Sequence, residues 1–255
     1  MSPVLEDKVA IITGASRGIG RAFALRFAEE GAKLLLTTTN PERAEGTAKD
    51  IRAKGGEVAI MEADISDEND TQKIAEKVEQ QYGKVDILIN NAAIYYGVER
   101  RPWDSWTVAE WDQMFAVNVR GTWLCCKAIA PLMIKQSRGK IINMASDIIK
   151  VPTAHFRLAY VCSKAAIHTL TQCLARALGP SGINVNSIGP GFTASEASIS
   201  MSGSEKAFES VTVAQSLKRR EEPDDLVGTA VFLASSDSDF ITGQFIVVDG
   251  GIVML

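Results

Sequence analysis

Apolar and polar positions along this chain follow two alternating rhythms. Short, nearly continuous apolar runs recur at 8–13, 33–38, 57–61, 85–89, 140–145, 183–188 and 245–248, each of strand length and fit for burial on both faces. Between them lie stretches with helical spacing at 21–30, 41–54, 67–82, 107–134, 158–178 and 223–235. Phe23, Phe27 and Ala28 form the inward face of the first, and Ile74, Ala75 and Val78 that of the third. Gly31, Gly55-Gly56 and Gly179-Pro180-Ser181-Gly182 punctuate the helix ends. Strands alternating with helices throughout predict an α/β fold with a doubly wound parallel sheet. No repeat, linker or second domain interrupts the pattern, so a single domain over 1–255 is expected.

Two segments break the rhythm. Residues 94–106 form a long loop rich in aromatics, Tyr95, Tyr96, Trp103 and Trp106, with Arg100 and Arg101 among them. It leaves the C-terminal end of a predicted strand, where ligands bind in such sheets, so its aromatics suit pocket lining as well as plain packing. Residues 195–216 are small, polar and Ser-rich, with Met201 and Phe208, and have the length of a lid, expected over about 192–218.

The first strand runs into Gly14-Ala15-Ser16-Arg17-Gly18-Ile19-Gly20 and then a helix. Strand, glycine-rich turn and helix N-terminus is the context of a dinucleotide site, because the backbone approaches a pyrophosphate and free N–H groups face it. The second strand ends in Thr37-Thr38-Thr39-Asn40, without the acid that usually holds the adenosine ribose. Thr38, Thr39 and Arg17 suit a 2′-phosphate, which favours NADP(H), with NAD(H) the alternative. Asp64 and Ile65 follow the third strand where a side chain meets adenine.

Tyr160 and Lys164, four apart, lie one above the other on a helix face. A phenol titrates near 10, and an adjacent ammonium is expected to bring it toward a useful range for proton transfer. Ser146, at the end of the fifth strand, offers a hydroxyl to hold a substrate oxygen, and Asn118 sits midway along a long helical stretch.

Composition narrows the classes. The chain is 46% hydrophobic and 23% charged with a net charge of −4, an ordinary globular balance that argues against a nucleic-acid binder. Lys218-Arg219-Arg220 runs straight into Glu221-Glu222 and reads as a solvated charge cluster. No secretory signal or membrane-length apolar run is evident. The four cysteines, Cys125, Cys126, Cys162 and Cys173, form no Cys-x-x-Cys pair and suit buried thiols in a reducing cytoplasm. Two histidines, His155 and His168, are too few for a typical zinc site, so no metal is expected.

With these pieces placed, residues 6–252 resemble the short-chain dehydrogenases/reductases, including bacterial 3-oxoacyl-carrier-protein reductases and secondary-alcohol dehydrogenases. The motifs occur in order: Thr13-Gly14-x-x-x-Gly18-Ile19-Gly20, Asn90-Asn91-Ala92, Asn118, Ser146, Tyr160-x-x-x-Lys164, Pro190-Gly191 and Asp249-Gly250-Gly251, with Ile241-Thr242-Gly243-Gln244 near the end. The resemblance implies a Rossmann-type, mostly parallel seven-stranded sheet in the order 3-2-1-4-5-6-7. It implies a catalytic tetrad of Asn118, Ser146, Tyr160 and Lys164. Expected cofactor contacts are Gly14, Ser16, Arg17, Gly18, Ile19, Gly20, Thr38, Thr39, Asp64, Ile65, Asn91, Ala92, Tyr160, Lys164, Pro190, Gly191 and Thr193. It implies a homotetramer acting on a small carbonyl or alcohol substrate, and the cysteine usage suits a cytoplasmic location.

Departures from the family pattern are Ala93 and Gly189, and a Ser146–Tyr160 loop one residue longer than usual. Ser137 and Ser181 stand where carrier-protein reductases tend to place arginines, although Arg138 is adjacent. The aromatics, with Phe156 and His155 near Tyr160, suggest an apolar or aromatic ketone or secondary alcohol. A 3-oxoacyl thioester is the alternative, and a redox-silent dinucleotide sensor or scaffold the rival from another class.

Overall fold

The computed structural model describes residues 3–95, 101–151 and 156–254. Seven strands form one sheet in the order β3-β2-β1-β4-β5-β6-β7, and every neighbouring pair is parallel. They are β1 Val9–Thr13, β2 Lys33–Thr38, β3 Val58–Glu62, β4 Ile87–Asn90, β5 Gly139–Met144, β6 Ile183–Pro190 and β7 Phe245–Val248. The chain starts in the middle of the sheet, runs outward to β3, and returns past β1 to β4. The order therefore reverses between β1 and β4, and the loops there open a crevice at the strands' C-terminal ends.

Alternation along β1 explains the two layers. Ala10 and Ile12 face one core, packed by α1 Gly18–Glu29, α2 Pro41–Ala53 and α9 Asp224–Ala234. Val9 and Ile11 face the other, packed by α3 Glu68–Tyr82, α5 Thr122–Lys135 and α6 Leu158–Leu178. Phe23 and Phe27 are buried as their spacing predicts, whereas Ala28 is only partly covered at the edge of that core.

The expected long helix over 107–134 is three pieces: α4 Val108–Phe115, a π-helical turn Ala116–Gly121, and α5. A capping box between Thr107 and Glu110 starts α4. π-Bulges often mark functional sites, and this one carries Asn118. Residues 195–216 also contain two helices, α7 Glu196–Ile199 and α8 Ser204–Ala214. A capping box of Ser195 and Ser198 begins α7, so part of the serine richness encodes a helix start.

Two surface expectations are corrected. Cys125 and Cys126 are buried with thiols pushed up by burial, but Cys162 is half-buried and Cys173 exposed. The predicted charge cluster at 218–222 is not uniformly solvated, because Glu221 is buried. Among the described residues no helix is long and apolar enough to cross a membrane.

Candidate active site

The glycine turn is built for close approach. Gly14 and Gly18 have φ of +66° and +54°, a region side chains avoid. A Cβ on Gly20 would lie 2.4 Å from the Gly14 carbonyl oxygen and 2.5 Å from Asn91 Nδ2. Asn91 Nδ2 donates to the carbonyls of Thr13 and Gly14 at 2.9 and 3.1 Å, while Thr13 Oγ1 accepts from the Asn91 and Ala92 amides, each at 3.0 Å. Asn91 is thus the brace between β4 and the turn. The first turn of α1 has no side-chain cap, which leaves its amide end for an anion. The expected contacts Gly14, Ser16, Arg17, Gly18, Ile19 and Gly20 all lie in this turn, and Glu196 Oε2 stands 3.4 Å from where a Cβ on Gly18 would be.

At the end of β2, Thr38 is buried and its Oγ1 accepts from the Asn40 amide at 3.0 Å, whereas Thr39 is exposed. Asp64 is exposed at the end of β3, its Oδ1 held by the Ser66 amide and hydroxyl. Ile65 is buried against Gly121 of the π-turn, which makes it a floor for that end of the crevice.

The four residues of the expected tetrad lie on the π-turn, at the end of β5 and on α6. Asn118 is almost wholly buried. Its Oδ1 accepts from the Ile94 amide at 2.7 Å and its Nδ2 donates to Ser163 Oγ at 3.0 Å and to the Ile94 carbonyl at 3.2 Å. It therefore ties the post-β4 loop to α6. Lys164 Nζ donates to the Met144 carbonyl at the end of β5 at 2.7 Å and lies 5.7 Å from the Tyr160 ring centroid. Ser146 Oγ accepts from the Ile148 amide at 3.3 Å, with Asp147 Oδ1 3.3 Å and the Pro190 carbonyl 3.5 Å away.

Electrostatics differ from the expectation at one point. Burial pushes the Tyr160 phenol above its ordinary value; a hydrogen bond with Ser146 and the charge of Arg157 pull only weakly the other way. Burial also lowers Lys164 to about 8. The same dry environment opposes both ions, so desolvation outweighs the depression of the phenol expected from the ammonium. At neutral pH the pair is a neutral phenol beside an ammonium.

Of the expected pocket aromatics, Tyr95 and Trp106 belong to the cluster around Tyr160, with Ile94 and Ile148. The Tyr95 ring lies 5.2 Å from that of Tyr160. Trp103 is 70% exposed and Phe156 also faces solvent, while Phe208 is buried against Phe192, their rings 4.4 Å apart. Met201 is half-buried. Tyr96, Arg100 and His155 lie outside the described residues. Arg101 is spoken for: it pairs with Glu110 at 2.8 Å and stacks 4.0 Å from the Trp106 ring centroid. Arg138 pairs with Asp86 at 3.0 Å.

Gly189 has a packing reason, since a Cβ there would lie 2.3 Å from the Phe245 ring. Ala93 is exposed and removes no contact.

Three residues beside the site escaped the sequence reading. Arg157 Nη1 donates to the Tyr95 hydroxyl at 3.0 Å. Asp147, next to Ser146, is buried, and desolvation pushes it up to about 7. Glu221 is buried at the foot of the loop after β6 and is pushed up to about 7 by the same cause. The sequence signal for Asp147 was its place directly after Ser146; Glu221 had none. Thr193 Oγ1 donates to Glu221 at 2.7 Å, and a Cβ on Gly18 would lie 3.2 Å from Ser195 Cβ, so the chain entering α7 covers the glycine turn.

Known proteins place this geometry. The family model described as enoyl-(acyl carrier protein) reductase matches residues 14–253. Galactitol 2-dehydrogenase of Agrobacterium fabrum is 39% identical over 97% of this chain and 98% of its own length. A 3-oxoacyl-[acyl-carrier-protein] reductase of Staphylococcus epidermidis is 35% identical over 97% of this chain and 100% of its own. The crystal structure of a putative gluconate dehydrogenase from Agrobacterium tumefaciens superposes with a TM-score of 0.93 at 32% identity, covering 100% of this chain and 99% of that one. That of levodione reductase has a TM-score of 0.90 at 30% identity, covering 96% and 97%. The chain belongs to the short-chain dehydrogenase/reductase family, whose members are NAD(P)-dependent oxidoreductases of CH–OH and C=O groups.

Proposed function

We propose that this enzyme moves a hydride between NADP(H) and a ketone or secondary alcohol, with Tyr160 as the proton-transfer group. The observation that carries the reading is the convergence of Ser146, Tyr160 and Lys164 beside the crevice that begins at the glycine turn. When bound, the nicotinamide supplies the hydride chemistry. The chain's own part is to bind, orient and move a proton. Ser146 Oγ holds the carbonyl oxygen. Tyr160 donates its proton to that oxygen in reduction and takes one in oxidation. Its phenol is kept protonated by burial, the form that gives a proton to the carbonyl oxygen in reduction. Lys164 would hold the ribose, and Asn118, which the resemblance places on a path from Lys164 to solvent, braces α6 through Ser163.

NADP(H) is preferred over NAD(H) on the absence of a carboxylate at 37–40, where a 2′-phosphate would otherwise be repelled. The substrate meets Tyr95, Trp106, Ile94 and Ile148 on one side, which supports an apolar or aromatic carbonyl compound. A second reading, 3-oxoacyl thioester reduction, is favoured by the Staphylococcus epidermidis relative but opposed by the pairing of Arg101 and Arg138 with acids. Residues 192–218 act as the lid, α7 lying over Gly18. The expected homotetramer has a candidate face in the groove of Phe115, Val119, Trp123 and Leu170, which Asp112 and Arg120 also line.

The test is nicotinamide absorbance with NADPH and NADH against aryl, cyclic and aliphatic ketones, hydroxyketones derived from polyols, and a 3-oxoacyl thioester. Tyr160→Phe is expected to keep cofactor affinity and lose turnover by about 10³-fold. Near-normal turnover in that variant would sink the assignment, and cofactor binding without turnover on any carbonyl would move it to the sensor reading.

A further inference from the structure

Glu221 lies in the segment between α8 and α9, outside every motif the chain shares with its family. Its carboxyl nonetheless reaches into the site. Oε2 accepts from the Gly191 amide at 3.1 Å, and Oε1 accepts from Thr193 Oγ1 at 2.7 Å. Its own main chain completes the grip: the Ala194 amide donates to the Glu221 carbonyl at 2.7 Å, within an isolated parallel bridge between Thr193 and Glu221. A Cβ on Gly191 would lie 2.5 Å from Glu221 Oε2, so the glycine is what lets the backbone close on the carboxyl. One residue back, the Pro190 carbonyl lies 3.5 Å from Ser146 Oγ. The loop that Glu221 holds therefore touches the proton-transfer site.

A carboxyl here is a costly anchor. It is 7% exposed, and its acidic neighbours Asp147 and Asp225 disfavour its charge. Asp249 also packs beside Gly191, and the charge of Arg219 is the cation that feels Glu221. Two donors facing one carboxylate define a polarity that a neutral amide cannot reproduce. With its proton committed to Glu221, the Thr193 hydroxyl has only lone pairs left to offer a ligand. The complementary ligand group is an N–H, which the carboxamide of a nicotinamide carries.

We propose that Glu221 is a positioning residue for the cofactor: its carboxylate fixes the Gly191–Thr193 loop and sets Thr193 as an acceptor for the nicotinamide carboxamide. This rests on the nicotinamide reading above. Burial pushes Glu221 up to about 7, so the acceptor polarity is lost within the working pH range as the carboxyl takes a proton. Glu221→Gln mimics that protonated state in size and hydrogen-bonding inventory.

The experiment is NADPH binding, read by nucleotide fluorescence on wild type and Glu221→Gln from pH 5.5 to 8.5, with thermal melts on both. At pH 8 the variant is expected to bind about tenfold more weakly, the scale of one buried donor left without its acceptor. At pH 5.5 the two affinities should converge. The 2′-phosphate titrates identically in both proteins, and an Asp147→Asn background removes the neighbouring acid, so the pH-dependent ratio belongs to Glu221. A ratio that stays constant across pH, or equal affinities throughout, would overturn the assignment. Glu221→Ala is the harsher variant; should it fail to fold, the Gln comparison still decides. Wild type that binds no nicotinamide nucleotide would overturn the nicotinamide reading itself, an outcome distinct from wild-type binding that Glu221→Gln leaves unchanged.

Discussion

Asp147 sits one residue from the Ser146 hydroxyl, and its carboxyl has an ordinary value of 3.8 that burial raises to about 7. Glu221 moves in the same sense, from 4.5 to about 7. Between those limits the folded chain holds more protons than the unfolded one. The stability these two groups contribute is therefore complete below their ordinary values and is lost as pH rises through about 7. Lys164, lowered to about 8, imposes its cost up to that pH and is relieved above it, so it acts in a separate window. The carboxylates of Glu30, Asp70 and Asp225 are shifted down, and their contribution is lost only in more acidic solution. The melting temperature of wild type is expected to fall between pH 5 and pH 7.5, and Asp147→Asn should flatten that slope. An unchanged slope in the variant would remove Asp147 from the account.

At the scale of elements, two helix glycines separate propensity from function. Gly46 lies inside α2, and a Cβ added there would have nothing within 4 Å, so Gly46→Ala replaces a poor helix former at no steric cost. It should stabilise by up to about 1 kcal/mol, which is roughly 2–4 °C in melting temperature for a chain of this size. Gly20 in α1 offers the same propensity gain, but its Cβ would meet the Gly14 carbonyl at 2.4 Å and Asn91 Nδ2 at 2.5 Å. Both are held in place, one as backbone and the other by two hydrogen bonds. Gly20→Ala is therefore expected to force the turn open and weaken NADPH binding by at least about tenfold, the loss of about 1.4 kcal/mol or more. Binding within twofold of wild type would show that the turn has slack. The break between α4 and α5 belongs to this scale too. The helical pattern at 107–134 carries no Gly or Pro signal at Ala116, and the π-turn follows from seating Asn118 between Ile94 and Ser163.

For the molecule as a whole, the outer face of α4, α5 and α6 is where an apolar surface meets solvent. Phe115, Val119, Trp123 and Leu170 form a groove there, and Trp123 is 43% exposed with Lys127 Nζ 5.3 Å from its ring centroid. If copies of the chain meet on this face, a cation at its centre is buried beside the ammonium of Lys127 on assembly, at a cost of several kcal/mol. Trp123→Lys is expected to shift the mass measured by light scattering to a smaller species without changing the far-ultraviolet circular dichroism. A wild-type mass of one chain, or a variant mass equal to wild type, would place the interface elsewhere. The proposed lid is clasped at the same scale: Arg220 pairs with Glu205 of α8 and lies 4.9 Å from the Phe208 ring centroid, and Arg219 pairs with Asp225 of α9.

The sequence by itself determined the strand and helix alternation, the glycine turn and the Tyr160–Lys164 spacing. Each is a local code: period, backbone freedom and one helical turn act within a few residues and do not wait for distant partners. The tertiary structure alone decided what those groups meet. Lys164 finds the Met144 carbonyl 20 residues away, and Arg101 is neutralised by Glu110 and Trp106 rather than left for a substrate. Trp103 turns to solvent while Phe208 turns inward, although both looked equally suited to a pocket. Glu221, written in a run of charges, is drawn under the loop after β6 by donors on Gly191 and Thr193. Burial is a property of what the rest of the chain brings alongside, and with it come the raised carboxyls and the protonated phenol that no window of sequence displays.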